Sequence, residues 1–495
     1  MLFNSIEFLI FFPIVTTLYF VFPRSIRNYW LLVTSYFFYM CWNPKYILLL
    51  MTSTFITYLS GILMERIKQS DREESKKVIL KNWTVAGSFV LNIGMLFYFK
   101  YINFALDIMV DFLRAFHITM KVPVFDVILP VGISFYIFQA LSYTMDVYRD
   151  EIYAEKNIFR YALFVSFFPQ LVAGPIERSK NLLKQLAKPN DFDYNNARTG
   201  LLMMLWGYFI KIVMADRLAV IVDTVYADIS AYHGMEFVIA NLCFTIQIYC
   251  DFMGYSIIAK GAAKYLGYEL MSNFEMPYFS SSIKEFWRRW HISLSSWLRD
   301  YLYIPLGGNR KGTLRKYFNL LLTFFVSGLW HGANITFVVW GMFHGICQVI
   351  EDVFRLCVGK ISDRIKNAQM LKVWHGVNIL KTFILATIGW VFFRANNISD
   401  AITVLKASTK LDNISHVLLK GGIFNLGIDS IGLIILIVSI VLLLIVSVMR
   451  ENKISPIEWI SGKNFIVRYA VYWTIVILII FSLDLTGKEF IYFQF

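Results

Sequence analysis

A single uncharged stretch, residues 318–350, limits most strongly what this chain can fold into. It is apolar throughout and holds no Asp, Glu, Lys or Arg, yet it contains the sequence WHGAN at residues 330–334. As one helix its 33 residues would extend roughly 50 Å, whereas the hydrocarbon core of a membrane is about 30 Å thick. We therefore predict two helices with a break at residues 331–334. Because an imidazole is tolerated at membrane depth mainly inside a protein cavity, His331 is a functional candidate.

The composition of the whole chain is that of an integral membrane protein. Its 495 residues are 57% apolar and 16% charged, whereas soluble domains carry about 25% charged residues. The net charge of +13 is typical of a membrane protein whose Lys and Arg collect in cytoplasmic loops. The sequence has no Arg-rich arm of the kind that binds nucleic acid. The five cysteines lie mostly in apolar runs without a C-x-x-C pair, so we predict neither a disulfide framework nor a metal site.

Apolar runs of spanning length recur along the chain and predict an all-α, polytopic fold. We expect roughly 11–12 membrane segments, some re-entrant or interfacial, with two of them at residues 84–99 and 104–116. The first segment lacks the basic start of a cleavable signal, so we expect it to be retained. Arg24, Arg27 and the basic loop at residues 65–81 are two spans apart, which predicts a multi-pass cell-membrane protein with the N-terminus outside. We predict one integral domain, residues 1–495.

Residues 280–303 have a different pattern. Their apolar side chains recur at spacings of three and four, which predicts one amphipathic helix on the membrane surface with His291 on its polar face. Eight Lys and Arg lie between residues 284 and 316. Two interpretations stay open. Either the segment anchors the chain to anionic lipid, or its cations bind the phosphates of an acyl carrier and His291 lies at the mouth of a tunnel leading to His331.

These segments contain the motifs of a known family. They read FWRRWHISLS at residues 286–295, WLRDYLYIPLGGNR at 297–310 and WHGAN at 330–334, with further likeness in NP at 43–44, LPVGISF at 129–135, AGPI at 173–176, QIYCDF at 247–252 and FIYFQF at 490–495. The sequence resembles the membrane-bound O-acyltransferase (MBOAT) family, and within it the branch of the integral-membrane subunit of bacterial alginate O-acetyltransferase. A lone WHG would be weak, but the preceding RRWH block at this distance is highly specific.

The resemblance implies that His331 is the catalytic histidine and that His291 is a second family histidine near an active-site tunnel. It also implies an acyl thioester such as acetyl-CoA as donor substrate, no tightly bound cofactor, and a periplasmic or extracellular acetyltransferase partner. The residues expected to meet the donor are Arg288, Arg289, Arg299, Asn309 and Arg310. Ile257 stands where members of this branch usually carry Asp, which affects the acceptor details and not the reaction class.

The expected reaction moves an acetyl group from cytoplasmic acetyl-CoA across the membrane for O-acetylation of an exported polysaccharide, alginate-like or peptidoglycan. His331 would take the proton of the acceptor hydroxyl, and His291 would position or polarise the thioester. We interpret Asn334 first as a helix cap and His344 as a structural residue. One alternative is D-alanyl transfer to teichoic acid by the same fold. Another is a transporter or flippase with His331 as proton relay, which would need ionisable side chains through several spans.

Overall fold

The computed structural model describes residues 1–118, 125, 129–172, 174–358, 367–483 and 490–491. Within these ranges the regular structure is helical and contains no strand, which confirms the all-α prediction. Residue 173 of the AGPI motif and residues 492–495 of the terminal motif lie outside the described residues. The chain packs into two compact units, Met1–Leu201 with Ala259–Met271 and Leu202–Ile258 with Ser272–Phe495. The single integral domain stays a prediction.

The first unit holds the N-terminal helices, packed through aromatic side chains. Phe8 of the first helix contacts Phe38 of the second with ring centroids 6.2 Å apart, and Tyr161 donates a hydrogen bond to Thr57 over 2.7 Å. Its helices are α1 Ile6–Val21, α2 Arg24–Met40, α3 Ile47–Gln69, α4 Glu74–Leu96, α5 Ile102–Ala115, α6 Ile133–Tyr148, α7 Ile158–Ser166, α8 Phe168–Leu171, α9 Ser179–Gln185 and the start of α10 Tyr194–Tyr208.

The second unit contains every histidine of the predicted site. Its helices are α11 Asp216–Ala227, α12 Met235–Tyr265 (in part), α13 Ile283–Arg289, α14 Ile292–Leu298, α15 Thr313–His331, α16 Ile335–Val358, α17 Ala368–Arg394, α18 Ile398–Ala407, α19 Ile414–Leu419, α20 Ser430–Glu451, α21 Pro456–Ser461 and α22 Phe465–Ser482. Wider π-helical turns, which are frequent at functional sites, precede α11 at Phe209–Ala215 and follow α14 at Arg299–Tyr303.

Seven helices of the described residues are long and apolar enough to cross a membrane. They are Pro44–Gln69, Glu74–Ala115, Met235–Tyr265, Ile335–Cys357, Ala368–Arg394, Ser430–Glu451 and Phe465–Ser482. Other predicted segments are shorter helices, such as α1 with 16 residues. The prediction of two separate spans at residues 84–99 and 104–116 is wrong. These regions form one continuous helix of 42 residues, Glu74–Ala115. The π turn at Phe97–Tyr101 carries the backbone through this region without a break.

The predicted break in the uncharged stretch is confirmed. Helix α15 ends at His331, Gly332 is extended with φ −162°, and α16 begins at Ile335. The two helices then pack tightly against each other through glycines. A Cβ on Gly341 would lie 2.3 Å from the carbonyl oxygen of Phe324, so only glycine allows this approach. The hairpin therefore fixes His331 at the turn between two apolar helices.

The predicted continuous helix over residues 280–303 is wrong. Helix α13 ends at Arg289, and His291 adopts a left-handed backbone conformation with φ 43° before α14 begins at Ile292. A non-glycine residue in this conformation costs roughly 1–2 kcal/mol, and such strain clusters at functional sites. The turn also changes the direction of the histidine: His291 is 0% exposed instead of lying on a polar face.

Candidate active site

His331 lies at the last position of α15, enclosed by aromatic rings. It is 3% exposed. Its ring centroid is 4.9 Å from that of Trp330, 4.8 Å from that of Trp340 and 5.4 Å from that of Phe393. Gly332, which follows it, is in contact with the Phe337 ring, and a Cβ there would approach this ring to 2.1 Å. The end of the helix thus places an imidazole among aromatic rings.

His291 faces the same place from the kink between α13 and α14. Its ring centroid is 6.4 Å from that of His331 and 4.7 Å from the Phe252 ring, which it meets edge-on. The backbone beyond the kink is held by Asn273, whose carbonyl accepts from the Ile292 amide at 2.9 Å. Burial lowers the pKa of His291 to about 3, because an enclosed imidazolium is poorly solvated. His291 is therefore neutral at physiological pH.

The structure brings together the two predicted histidines, although they are separated by 40 residues in sequence (331 − 291). The sequence also predicts an entrance leading to His331. In the structure both imidazoles are enclosed, His291 at 0% and His331 at 3% exposure. Aromatic rings, among them Trp330, Trp340 and Phe393 around His331 and Phe252 beside His291, surround the pair. Burial of this kind strengthens electrostatic interactions between the buried groups.

Asn334 closes the break after His331. Its side-chain oxygen accepts from the Thr336 amide at 3.0 Å, and its amide nitrogen donates to the carbonyl of Asn396 at 3.0 Å. The first contact is a helix N-cap, as predicted, and the second fixes the turn to the end of α17. Both polar ends of Asn334 thus hold the backbone that carries His331.

The residues predicted to bind the donor divide into two groups, those held in ion pairs and those that are exposed. Arg289 is engaged by Glu285 at 2.7 Å and by Glu451 at 2.6 Å, and Arg299 pairs with Asp300 at 2.8 Å. These ion pairs hold the segment in place and leave less freedom for a ligand.

Arg288, Asn309 and Arg310 are exposed, and neither arginine makes an ion pair within the described residues. Partial burial and then the nearby Arg288 charge lower the pKa of Lys284, as expected where cations concentrate. Arg288, Asn309 and Arg310 are therefore the predicted donor-binding residues that remain open to a phosphate.

A buried charge cluster was missed by the sequence reasoning. Lys211, 1% exposed, lies 2.7 Å from Asp251 and 2.9 Å from Asp216, and the second oxygen of Asp251 accepts from the Ile491 amide at 2.7 Å. Asp251 belongs to the QIYCDF motif of residues 247–252. The sequence signal for the cluster was Lys211, a lysine inside the apolar run 201–222 that needs a carboxylate partner.

The cluster adjoins the histidine site. Phe252, next to Asp251, packs on His291, and Phe490 packs on Phe252 with centroids 5.7 Å apart. No group of three His, Cys, Asp or Glu within the described ranges lies close enough together to hold a metal ion.

The helices and the enclosed imidazole pair define a polytopic membrane protein with a histidine site among aromatic side chains. Residues 18–393 match the membrane-bound O-acyltransferase family, MBOAT. The chain belongs to this family, as the motifs predicted.

Named relatives agree with that family. The chain is 40% identical over 406 residues to the probable alginate O-acetylase AlgI of Pseudomonas putida, covering 81% of this chain and 79% of that protein. It is 33% identical over 449 residues to the peptidoglycan O-acetyltransferase of Helicobacter pylori, covering 84% and 81%. It is also 29% identical to the teichoic acid D-alanyltransferase of Streptococcus thermophilus, over 45% of this chain and 57% of that protein. The chain is a multi-pass membrane O-acyltransferase, which sets aside the transporter alternative.

Proposed function

We propose that this enzyme takes an acetyl group from cytoplasmic acetyl-CoA and supplies it for O-acetylation of an exported cell-surface polysaccharide. The observation that carries the proposal is the pair of enclosed imidazoles, His291 and His331, with ring centroids 6.4 Å apart. The relatives named as alginate O-acetylase and peptidoglycan O-acetyltransferase, each aligned over about four fifths of the chain, support acetyl as the group transferred.

In the proposed reaction His331 is the general base. The acceptor hydroxyl oxygen attacks the thioester carbonyl carbon, the ester C–O bond forms and the C–S bond breaks. His331 takes the hydroxyl proton and returns it to the departing thiolate of coenzyme A. Proton transfer by a positioned histidine contributes typically about 10²–10⁴-fold. The aromatic enclosure of His331 limits water as a competing acceptor.

His291 has a supporting role in this proposal. Burial lowers its pKa, so it enters the reaction as a neutral imidazole and not as a cation. A neutral ring offers one N–H donor and one acceptor nitrogen. With its donor directed at the thioester carbonyl, His291 polarises the carbon that the hydroxyl attacks.

The donor phosphates are proposed to bind Arg288, Asn309 and Arg310, which are exposed. Arg289 and Arg299 lie in the same predicted basic segment, but Glu285, Glu451 and Asp300 neutralise their charges, so they are proposed to contribute less to donor binding. By the distribution of Lys and Arg, this segment faces the cytoplasm and the N-terminus lies outside the cell membrane. The ester formed on the acceptor hydroxyl is then the acetyl donor of a periplasmic or extracellular acetyltransferase, which delivers the acetyl group to the glycan.

O-acetyl content of the surface polysaccharide in cells tests this function with any partner present. Cells producing His331→Ala should contain the protein at normal levels in the membrane and lose polysaccharide acetate. His375→Ala is the matched control, because this imidazole is exposed on α17, and it should leave acetate unchanged. Acetate retained by the His331→Ala cells would remove His331 from the mechanism.

Purified protein in vesicles tests the acyl group. Acetyl-CoA labelled in the acetyl group should be consumed with release of free coenzyme A when an acceptor is present. D-alanyl transfer, the activity named for the Streptococcus relative, is the second arm. Label transferred only from a D-alanyl carrier would replace the acetyl assignment while keeping the acyltransferase class.

A further inference from the structure

A third histidine, His344, lies in the same aromatic region as His331. It is 0% exposed, halfway along α16. Its ring is packed among five aromatic side chains: Phe286, Trp287, Trp340, Phe343 and Trp390. The sequence interpretation made it a structural residue between Gly341 and Gly345, and both glycines do pack closely on α15.

Helix packing alone does not account for an imidazole at this position. Neither ring nitrogen of His344 has a hydrogen-bond partner among the described residues. A buried polar group left unpaired destabilises a fold, and a phenylalanine would fill an aromatic pocket without that cost. The indole N–H groups of Trp287, Trp340 and Trp390 likewise lack an acceptor within the described part of the chain. Several buried hydrogen-bonding groups thus collect around one ring.

The neighbouring helix leaves space for a nitrogen of this imidazole. Gly389 of α17 faces His344, and a Cβ there would lie 2.8 Å from Nε2. A separation this short would force the imidazole to move. Glycine at residue 389 therefore keeps the Nε2 edge of His344 in its present position.

His344 is also connected to the catalytic candidate. Trp340 meets His344 edge-on with ring centroids 5.3 Å apart, and it meets His331 edge-on at 4.8 Å. One indole thus separates the two imidazoles. A shift of Trp340 would therefore expose both rings to the same space.

We propose that His344 is a substrate-binding residue of the acyl-transfer site, which hydrogen-bonds an uncharged oxygen that enters beside His331. The oxygen is a carbonyl of the acyl donor or a hydroxyl of the acceptor, because the surrounding donors are neutral indoles and the imidazole adds one donor and one acceptor. This inference rests on the acyl-transfer function proposed above and assigns to it a residue outside the His291–His331 pair.

Substitutions that separate shape from hydrogen bonding test the proposal. His344→Phe keeps a planar ring and removes both nitrogens, whereas His344→Asn and His344→Gln keep one donor and one acceptor. We expect His344→Phe to unfold at the wild-type temperature or above and to lose at least about tenfold in kcat/KM, the effect of one good hydrogen bond. At least one of the two amide variants should retain activity within a few fold of wild type.

Varying donor and acceptor concentrations separately identifies the bound oxygen. A rise in KM for acetyl-CoA assigns His344 to the thioester, and a rise in KM for the acceptor assigns it to the hydroxyl. A His344→Phe protein with wild-type kinetics and higher thermal stability would overturn the inference and leave His344 as packing. Absence of transfer by the wild-type protein would instead refute the proposed function, so the two failures are distinguishable.

Gly389→Ala provides a test that leaves His344 in place. The added methyl group pushes on Nε2 and should lower kcat/KM in the same direction as His344→Phe. Gly376→Ala on the same helix is the matched control, because nothing lies within 4 Å of its Cβ, and it should keep wild-type kinetics. Equal, unchanged kinetics in both glycine variants would contradict a role for the position of the His344 ring.

Discussion

The buried charge cluster gives the sharpest prediction about stability. Lys211 and Asp251 are 1% and 2% exposed, and Lys211 has two carboxylate partners, at 2.7 Å on Asp251 and 2.9 Å on Asp216. Lys211→Met removes the cation that both carboxylates contact. Removing one partner of a buried pair costs about 3–5 kcal/mol, so we expect a loss of that size in the free energy of unfolding.

The opposite substitution should cost less. Asp251→Asn keeps an oxygen that accepts from the Ile491 amide, and it leaves Lys211 paired with Asp216. Loss of one charged hydrogen bond predicts about 1–3 kcal/mol. The double variant has neither member of the pair, so its destabilisation should be smaller than the sum of the two by at least about 1 kcal/mol.

Equilibrium unfolding in mixed detergent micelles measures these differences. Lys372→Met, which removes an exposed lysine on α17, is the matched control and should change the free energy of unfolding by less than about 0.5 kcal/mol. A Lys211→Met protein as stable as this control, or strictly additive effects in the double variant, would refute the assignment of Lys211 and Asp251 as a coupled buried pair.

Three further predictions concern the hairpin, the protonation of His291 and the donor surface. Gly341→Ala should lower the free energy of unfolding by about 1–3 kcal/mol, because the added Cβ meets the Phe324 carbonyl. Gly87→Ala is the control: nothing lies within 4 Å of its Cβ, so it should be neutral or slightly stabilising. Equal stability of the two variants would contradict the close helix contact. Burial lowers the pKa of His291 in the folded protein to about 3, whereas in the unfolded chain it is about 6.5. Between these two values the unfolded chain binds more protons than the folded protein. The free energy of unfolding therefore falls as pH falls, by about 1.4 kcal/mol per pH unit. His291→Gln should lack this part of the slope when unfolding is followed from pH 8 to pH 4, and an identical slope would contradict a buried neutral His291. Arg288→Ala and Arg310→Ala should each raise the KM for acetyl-CoA by about fivefold with kcat unchanged, and an unchanged KM in initial-rate assays would exclude them from donor binding.

The helix break, and with it the position of His331 at a helix end, could be predicted from the sequence because it follows from local physics. An uncharged run too long for one span has to break. Within residues 318–350, the WHGAN segment combines a polar pair, His331 and Asn334, with a glycine, so the break is expected there. The structure ends α15 at His331 and begins α16 at Ile335. That Asn334 caps a helix could also be predicted, because capping depends on the residue type and on its place before a helix.

The kink at His291 could not be predicted from periodicity. Side chains at spacings of three and four describe a face of a regular helix, and they contain no information about a single residue with positive φ. The structure places φ 43° at His291 and turns the ring inward. The family resemblance names this residue as a site candidate, which stays a prediction, while the helical pattern assigned it to the wrong surface.

Long-range pairs were also beyond the sequence. Lys211 and Asp251 are 40 residues apart, and Asp251 accepts from an amide 240 residues further along the chain. Neither spacing carries a periodic signal. The merged helix Glu74–Ala115 has a different cause: a π turn at Phe97–Tyr101 continues the helix through a region where two spans were expected.

The most direct test of the account is the rate of acyl transfer at saturating donor by His331→Ala in vesicles, measured beside wild type and His375→Ala. A base enclosed at the end of α15 predicts a loss of about 10²–10⁴-fold in kcat for His331→Ala, normal insertion and thermal stability, and no change for His375→Ala. Transfer by a correctly folded His331→Ala protein at the wild-type rate would contradict the proposal that this imidazole moves the proton.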